Sequence, residues 1–435
     1  MPASEPVLLR DRHIKYWLRC ARTFLPEAYT STDSNRMTLA FFIVSALDLL
    51  DLLASKIDAN ERDSWRNWIF SCQLDSGGFR GFTGTKIGHD VRTLQNQHWD
   101  PANVPATFFA LVTLIILGDD LSRVRRRECL TWLPKVQRQD GSFGEILGEN
   151  ESIEGGSDLR FCCCAAGVRH ILRGPQEKDV QDFDVDRLVR YITACQTYDG
   201  GFSEGPGHES HSGLTYCAID ALALLGRSPE KGLDTPDARR SSGTLSLDDC
   251  TRWVLSRQTT YLEEDEPEDD EQASSIPQPE AVALPSSPLG SPHATHFPVT
   301  PLSPPKTPSP VRMQIVAAPI LNCAKQNLLW AGFNGRTNKI ADTCYCFWNT
   351  AALAMLDRLY LIDKPRMRRY LLEKTQHIVG GFGKGVHEPP DIMHAYFGLA
   401  ALATIGEDEL PTFDPLFCIS QKARENLKRV SWWAE

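Results

Sequence analysis

An aspartate and a cysteine stand two positions apart in the stretch ADTCYCFWNT, as Asp342 and Cys344, and a histidine follows in DIMHAYFG, as His394. Oxygen, sulfur and nitrogen donors of this kind suit Zn²⁺, and three protein ligands leave a fourth position open, as in catalytic zinc sites. Because residues two apart on a regular helix point in different directions, a shared ion requires Asp342 to lie at a helix start with non-helical backbone. The spacing alone leaves a second interpretation open, in which Asp342 caps a helix, Cys344 is a small core residue and His394 bonds a carbonyl group.

A second group of polar residues precedes apolar stretches and has the chemistry to hold an anion. Its members are His211, Arg336, Lys339 and Lys384. Arginine offers phosphate oxygens a planar fork, lysine offers a point charge, and helix N-termini add backbone N–H donors. The alternative is that GRTNK, which contains two of these residues, is only a solvated basic turn.

A recurring pattern indicates how such residues are positioned. It consists of a glutamine, three residues, a glycine, one residue and a phenylalanine, as in QLDSGGF, QRQDGSF, QTYDGGF and QHIVGGF. A polar turn and a helix that is apolar on nearly every face follow each copy, which predicts an array of helical hairpins with inner helices covered by outer ones. We therefore predict an all-α fold, an α-α barrel or toroid with the turns at one rim, where the positive ends of the inner helices converge.

One segment does not fit the repeats. Residues 262–315 are first acidic and then rich in proline and serine, without apolar periodicity, and are predicted to be a disordered insertion. RWVLSRQ before this segment and NLLWAGFNGR after it supply the two halves of the fourth repeat, so residues 1–435 are expected to form a single domain. Phosphorylation by proline-directed kinases is one hypothesis for the segment, and a tolerated loop is the other. Its Ser/Thr-Pro pairs begin at Ser287, Ser291, Thr300, Ser303, Thr307 and Ser309.

The composition restricts the class of protein. The 435 residues are 42% hydrophobic with a net charge of −10, which predicts a globular protein and disfavours nucleic acid as the main partner. No apolar run approaches the roughly 20 residues that span a bilayer, and no secretion signal is evident, so we expect a cytoplasmic protein that is not an integral membrane protein. The 13 cysteines lie mostly in apolar contexts and are expected to be buried thiols in a reducing compartment.

The Gln-x-x-x-Gly-Gly-Phe repeats, GRTNKIADTCYCFW and DIMHAYFG together resemble the β subunits of the protein prenyltransferases. The resemblance extends from LRDRHIKYW to LKRVSWW, apart from the insertion. NRMTLAFF, LGDDLSRV and ESHSG are most similar to the β subunits of type I protein geranylgeranyltransferases. In NRMTLAFF, Thr38 stands where farnesyltransferase has a tryptophan that shortens the lipid pocket.

The resemblance implies a role for each site residue. Asp342, Cys344 and His394 correspond to the ligands of one zinc ion and, with Lys384, to the catalytic group. Lys384 stands where the farnesyl enzyme has a magnesium-binding aspartate, so Mg²⁺ is not expected to be required. The implied diphosphate-binding residues are His211, Arg336, Lys339 and Tyr345, and the implied isoprenoid- and peptide-binding residues are Thr38, Phe42, Trp348 and Arg160. Two positions depart from the family pattern: Asn103 replaces a histidine near the peptide's carboxyl end, and Gly156 replaces an acidic residue.

The implied activity is transfer of a geranylgeranyl group from geranylgeranyl diphosphate to the cysteine of a C-terminal CaaX motif, usually ending in leucine, on proteins such as Rho-type small GTPases. The family acts as a heterodimer with a prenyltransferase α subunit. Rab-type geranylgeranyltransferase and farnesyltransferase β subunits remain alternatives, as does a non-catalytic helical-repeat scaffold. A terpenoid cyclase is disfavoured because no DxDD or DDxxD motif occurs at the start of an inner helix.

Overall fold

Helices dominate the computed structural model, which describes residues 5–23, 25–29, 33–88, 90–93, 95–175, 177, 179–227, 245–262 and 329–433. The α-helices are α1 (Arg10–Arg22), α2 (Arg36–Leu49), α3 (Leu52–Ser55), α4 (Ala59–Ser71), α5 (Val104–Ile116), α6 (Arg126–Trp132), α7 (Leu159–Arg173), α8 (Val185–Ala194), α9 (Ser212–Leu224), α10 (Leu247–Leu255), α11 (Thr343–Met355), α12 (Lys364–Arg369), α13 (Ile392–Ile405) and α14 (Gln421–Arg424). A π-helical stretch, Tyr370–Thr375, continues α12. Short antiparallel strand pairs join β1 (Ile146–Leu147) to β2 (Ile153–Glu154), β3 (Gln258–Thr259) to β4 (Gly332–Phe333) and β5 (Phe413–Asp414) to β6 (Ile419–Ser420).

Six of the described helices form a closed inner ring. Each of α2, α5, α7, α9, α11 and α13 packs against the next, and α13 packs against α2. One outer helix precedes each inner helix along the chain, in the order α1, α4, α6, α8, α10 and α12. The inner helix α5, VPATFFALVTLII, is buried on nearly all sides, whereas the outer helix α8 buries only Leu188, Tyr191 and Ile192. This difference confirms the predicted all-α barrel of inner and outer helices.

The glutamine and phenylalanine of each repeat pair with each other between the outer and the inner helix. The antiparallel pairs are Gln73 with Phe79, Gln137 with Phe143, Gln196 with Phe202, Gln258 with Phe333 and Gln376 with Phe382. All five phenylalanines are fully buried. The fourth pair joins β3 to β4 on either side of the predicted insertion, which is the arrangement that the sequence predicts for the two halves of the fourth repeat.

The glutamine side chain links each repeat to the next. Its amide resembles a peptide group, so it both accepts a backbone hydrogen bond and donates one at the start of the following outer helix. Gln196 does this with the N–H and C=O of Ser246, at 2.9 and 2.8 Å. Gln376 accepts from the N–H of Leu9 at 2.8 Å and donates to the carbonyl of Val7 at 3.1 Å. Because Gln376 belongs to the last repeat and Leu9 precedes α1, this pair closes the ring.

The first glycine of the turn is required by a close approach of two backbones. At Gly380 φ is +92°, and a Cβ atom would lie 2.2 Å from the carbonyl oxygen of Arg12 in α1. At Gly77 φ is also +92°, and a Cβ atom would lie 2.4 Å from the backbone of Glu128 in α6. Any side chain would therefore both strain the turn and separate it from the next outer helix.

The hairpin of β5 and β6 packs inside the ring. The hydroxyl of Tyr216 in α9 donates to the carbonyl of Pro415 at 2.8 Å, and the hydroxyl of Tyr396 in α13 donates to the carbonyl of Cys418. The hydroxyl of Ser420 donates to the carboxylate of Asp48 in α2. The segment from Phe413 to Ser420, which we call the C-terminal hairpin, thus fills the interior below the starts of the inner helices.

The described residues lie in one compact unit. Apart from Leu262, the predicted insertion at 262–315 and its Ser/Thr-Pro pairs lie outside the described residues. In the described part of the chain, no helix combines the length and the apolar character that crossing a bilayer demands.

Candidate functional site

The starts of neighbouring inner helices are joined by backbone hydrogen bonds to the turn of the following repeat. The N–H of Ser212 in α9 donates to the carbonyl of Gly335 at 3.0 Å, and the N–H of Thr343 in α11 donates to the carbonyl of Lys384 at 2.9 Å. These bonds bring the starts of α9, α11 and α13 side by side. Polar residues at the three helix starts therefore share one mouth of the ring.

Asp342, Cys344 and His394 converge at this mouth. One ligand atom from each lies within 4.8 Å of the other two, and all three residues are buried. Asp342 is the N-cap of α11 with φ −146° and ψ 142°, so its carboxylate turns back over the first turn and accepts from the N–H of Cys344 at 2.8 Å. The predicted non-helical backbone at Asp342 is confirmed, and the geometry allows one ion to contact both side chains.

Asp391 orients His394 and was missed in the sequence. It is the N-cap of α13, and its Oδ1 accepts from the N–H of His394 at 2.9 Å. Its Oδ2 bonds Nδ1 of the same histidine, which leaves Nε2 facing Asp342 Oδ1 at 3.6 Å. Carboxylates bonded in this way to the far nitrogen of a metal-binding histidine hold the ring and its tautomer. An acidic N-cap three residues before His394 in DIMH was the available signal.

The three donor side chains fit a cation site better than the alternative of a helix cap, a core cysteine and a carbonyl-bonded histidine. Burial and the neighbouring Asp342 charge raise the pKa of the Cys344 thiol well above its ordinary value. A positive ion between a buried carboxylate and a thiol stabilises the charge of the carboxylate and favours the thiolate form of the thiol. His394 does not bond a carbonyl group, as the alternative interpretation required, but offers Nε2 to the same space. The three side chains could thus hold a divalent metal ion.

His211 and Tyr345 meet next to this group. His211 is the N-cap of α9, and its Nδ1 accepts from the N–H of Gly213 at 3.0 Å. Its Nε2 lies 3.1 Å from the hydroxyl of Tyr345, on α11. Burial, followed by the charges of Arg336 and Arg160, lowers the pKa of His211 to about 4, so the imidazole is neutral at pH 7. With Nδ1 accepting, the proton lies on Nε2.

The predicted cations lie around the mouth and are exposed. Arg336 lies 3.8 Å from Glu209, and its charge acts on His211. The carbonyl group of Lys384 accepts a hydrogen bond from the N–H of Thr343, at the start of α11. Lys339 lies in the same turn as Arg336, with its carbonyl bonded by Asn334 at 2.8 Å. Among the described residues, the Lys339 side chain forms no hydrogen bond or ion pair with the other site residues.

Arg160 is paired within its own helix start. Its guanidinium forms two hydrogen bonds, of 2.9 and 2.8 Å, with Asp158, the N-cap of α7. Its charge nevertheless contributes to lowering the pKa of His211. Arg160 therefore lies within electrostatic range of His211, while Asp158 holds its guanidinium in position.

The predicted apolar residues line the inside of the ring. Phe42 on α2 packs against Phe397 on α13, with ring centroids 5.4 Å apart, and Phe397 packs against Trp348 on α11 at 4.4 Å. Thr38 and Trp348 are half-buried although both lie on inner helices. A continuous aromatic wall thus runs from the start of α11, beside Tyr345, to α2.

The two departures from the family pattern also have defined surroundings. Asn103 caps α5 by accepting from the N–H of Ala106 at 2.9 Å, and its amide donates to Glu145 at 2.7 Å. Gly156 is exposed, and a Cβ atom there would lie 2.5 Å from the ring of Phe161. A side chain at position 156 would therefore require that ring to move.

A cavity of about 750 Å³ lies away from these residues, between the 92–102 loop, α6 and the turn after β1. Its walls include Arg92, Arg127, Trp132, Lys135 and Glu149, and none of the predicted site residues. We place the candidate site at the helix starts, because the buried donor set and the neighbouring cations lie there.

Known proteins resemble the chain along nearly its whole length. Residues 8–419 match the family described as the prenyltransferase alpha-alpha toroid domain. The geranylgeranyl transferase type-1 subunit beta of Arabidopsis thaliana is 29% identical over 93% of this chain and 87% of the relative. The protein of the same name from Dictyostelium discoideum is 29% identical over 92% of each chain.

The fold also matches a solved structure, that of Candida albicans protein geranylgeranyltransferase-I complexed with GGPP. The TM-score is 0.71 with 25% sequence identity, covering 98% of this chain and 100% of that chain. The resemblance indicated by the sequence motifs is thereby confirmed. The chain belongs to the prenyltransferase family with the α-α toroid fold.

Proposed function

We propose that the chain is the catalytic β subunit of a type I protein geranylgeranyltransferase. It transfers the twenty-carbon group of geranylgeranyl diphosphate to the cysteine thiol of a C-terminal CaaX motif. The observation that carries the proposal is the convergence of Asp342, Cys344 and His394 next to His211 and Tyr345 at the open end of an aromatic-lined ring. This convergence supports neighbouring sites for a thiol, a diphosphate and a lipid.

The reaction exchanges two bonds at one carbon. The bond between the first carbon of the isoprenoid and the diphosphate oxygen breaks as a carbon–sulfur bond forms, and the thiol proton is lost to solvent. A zinc ion held by Asp342, Cys344 and His394, one per subunit, would take the substrate thiol as a further ligand and favour its thiolate at neutral pH. The carboxylate of Asp391 contributes by fixing the orientation of His394.

His211 and Tyr345 supply neutral hydrogen-bond donors to the leaving group. Because His211 accepts from Gly213 through Nδ1, Nε2 carries a proton that can be donated. Burial raises the pKa of Tyr345, so its hydroxyl also stays protonated and free to donate. Donors fixed in place before the reaction stabilise the charge that develops on the diphosphate as the bond to carbon breaks.

The exposed cations complete the diphosphate site. Arg336 and Lys339 belong to the turn that is bonded to the start of α9, and Lys384 adjoins the start of α11. A lysine at position 384 supplies positive charge without a second metal ion, so we propose that Mg²⁺ is not required. Arg160, together with the aromatic wall, is assigned to the bound lipid and peptide.

Thr38, Phe42 and Trp348 define the lipid path. The wall from Trp348 through Phe397 to Phe42 leads away from the diphosphate site. Thr38 precedes Phe42 by four residues and so lies on the same face of α2. A small side chain at position 38 leaves room for the end of a longer isoprenoid.

The proposal includes partners and location. A prenyltransferase α subunit would complete the enzyme, and the protein substrates would be CaaX proteins ending in leucine, such as Rho-type small GTPases. The enzyme would act in the cytoplasm as a single barrel domain interrupted by the 262–315 insertion. A Rab-type or farnesyl-transferring enzyme is the alternative, and the identity of two relatives named as type-1 subunits favours the geranylgeranyl assignment.

Co-expression with an α subunit, followed by a prenylation assay, tests the proposal. The purified heterodimer should contain about one zinc ion and should transfer the geranylgeranyl group to a CaaL peptide in preference to the farnesyl group. Activity should persist when Mg²⁺ is chelated selectively. A heterodimer that transfers only the farnesyl group would reject the type I assignment, and one that transfers neither would reject the function.

Two cysteines on α11 provide a matched pair for the metal site. Cys344→Ala should abolish zinc binding and turnover while circular dichroism shows an unchanged helix content. Cys346→Ala removes a fully buried thiol two residues along, outside the site, and should keep both properties. Stoichiometric zinc in Cys344→Ala would contradict the ligand assignment.

A further inference from the structure

We propose that Tyr396 sets the greatest length of isoprenoid that the barrel accepts, by forming a floor beneath the lipid path. The inference rests on the proposed function and adds a residue to it. Tyr396 is the fifth residue of α13 and therefore lies about 6 Å below the helix start, at 1.5 Å per residue.

A column of residues leads from Thr38, near the start of α2, to Tyr396. Thr38 and Phe42 lie one helical turn apart on α2, and the ring of Phe42 lies 5.5 Å from the ring of Tyr396. Exposure falls along the column, since Thr38 is half-buried, Phe42 keeps 8% of its surface and Tyr396 keeps none. The packed column that starts at Thr38 is therefore closed at Tyr396, whose ring has no exposed surface.

The C-terminal hairpin holds this ring in place. The Tyr396 hydroxyl donates to the carbonyl oxygen of Cys418, in a fully buried position. The ring also packs edge-on against Phe41, with centroids 5.8 Å apart. Movement of the ring would leave a buried donor and acceptor unpaired, which makes the floor rigid rather than adaptable.

Tyr216 is the natural comparison. It is the fifth residue of α9, and its hydroxyl donates to the carbonyl of Pro415 in the same hairpin. Its ring, however, packs against Trp348 at 4.8 Å, on the two helices that carry His211 and Tyr345. The end of a lipid lies farthest from its diphosphate, so the terminal isoprene unit meets Tyr396 and not Tyr216.

The same substitution at the two tyrosines separates a role in limiting the length of the lipid from a role in holding the C-terminal hairpin. Tyr396→Leu and Tyr216→Leu each remove one ring and one hydrogen bond to the C-terminal hairpin. The heterodimer is assayed with the twenty-carbon and twenty-five-carbon prenyl diphosphates and one CaaL peptide. Because an apolar pocket discriminates by tenfold or more per misfitting group, Tyr396→Leu should raise the ratio of twenty-five- to twenty-carbon transfer about tenfold. Tyr216→Leu should leave that ratio unchanged.

Binding to the unaltered heterodimer gives a test that no folding defect can obscure. The twenty-five-carbon diphosphate should compete with geranylgeranyl diphosphate about tenfold less well than the twenty-carbon compound itself. Equal competition, an unchanged transfer ratio in Tyr396→Leu, or an equal rise in both leucine variants would overturn the role of Tyr396. Loss of the proposed function is a separate result, because the unaltered heterodimer would then transfer no geranylgeranyl group at all.

Discussion

Replacing Asp391 with asparagine should weaken metal binding without breaking the helix that carries His394. Asp391 Oδ1 accepts from the N–H of His394 and from the hydroxyl of Tyr29, at 2.9 and 3.0 Å. An asparagine must keep its oxygen at this position, because both partners are donors. Its NH₂ group then faces His394 Nδ1, where the carboxylate had accepted.

The consequence is the wrong histidine tautomer. With Nδ1 receiving a hydrogen bond from asparagine, the imidazole proton moves to Nε2, the nitrogen that faces Asp342 at 3.6 Å. A protonated nitrogen cannot bind a metal ion, so binding must first reverse this exchange. The lost bond is charge-assisted and worth about 1.5–3 kcal/mol. Since comparable outer partners change metal affinity about 10- to 100-fold, we expect a loss in that range, or about 1.4–2.7 kcal/mol.

The assay is competition for Zn²⁺ between the heterodimer and a chromophoric chelator. Asp58→Asn is the matched control, because Asp58 caps α4 through the N–H of Glu61 at 2.8 Å and lies outside the site. Asparagine caps helices as well as aspartate does, so both variants should keep their helix content. An Asp391→Asn protein with the zinc affinity of Asp58→Asn would refute the tautomer argument.

Three further outcomes are expected. Thr38→Trp should shift donor preference from geranylgeranyl towards farnesyl diphosphate, and unchanged selectivity in a competition assay would remove Thr38 as a length gate. Gly380→Ala should lower the free energy of unfolding by about 3 kcal/mol or more, because strain from a positive φ adds to an unavoidable backbone clash. Gly406, with φ +87°, has open space around it, so Gly406→Ala should lower the free energy of unfolding by only about 1 kcal/mol. Equal losses in the two variants would contradict the clash. Burial raises the pKa of Asp48 to about 6. The contribution of the protonated Asp48 carboxyl to the free energy of unfolding is therefore complete below about pH 4 and is lost as the pH rises through 6. Asp48→Asn should therefore gain stability relative to the unaltered protein between pH 4 and pH 8, whereas a difference independent of pH in chemical denaturation would show that this carboxyl does not titrate as stated.

Periodic and local features were predictable from the sequence. The repeated glutamine, glycine and phenylalanine predicted the helical hairpins, because each copy encodes the same turn with the same backbone demands. Asp342 could be assigned to a helix start because aspartate caps helices and apolar residues follow it. These inferences depend on neighbours within a few positions along the chain.

Contacts between distant segments were not predictable. The bond between Asp391 and His394 is local, but its value depends on Nε2 facing Asp342 from another helix. The pairing of His211 with Tyr345 joins residues on α9 and α11, and its geometry fixes which nitrogen carries the proton. Sequence spacing does not specify such distances, because they depend on how neighbouring inner helices are packed.

The sequence by itself determined the layered barrel, the types of the candidate ligands and the positions of the repeats, since helical periodicity and capping are local properties of the chain. The tertiary structure decided how the ring closes, through Gln376 and the start of α1, and how the C-terminal hairpin is held, through Tyr396 and Cys418. Both features depend on small sets of hydrogen bonds between segments that are separated in sequence. Neither the composition nor the repeats predict these bonds, because the bonds form only when packing of the helices brings donor and acceptor together.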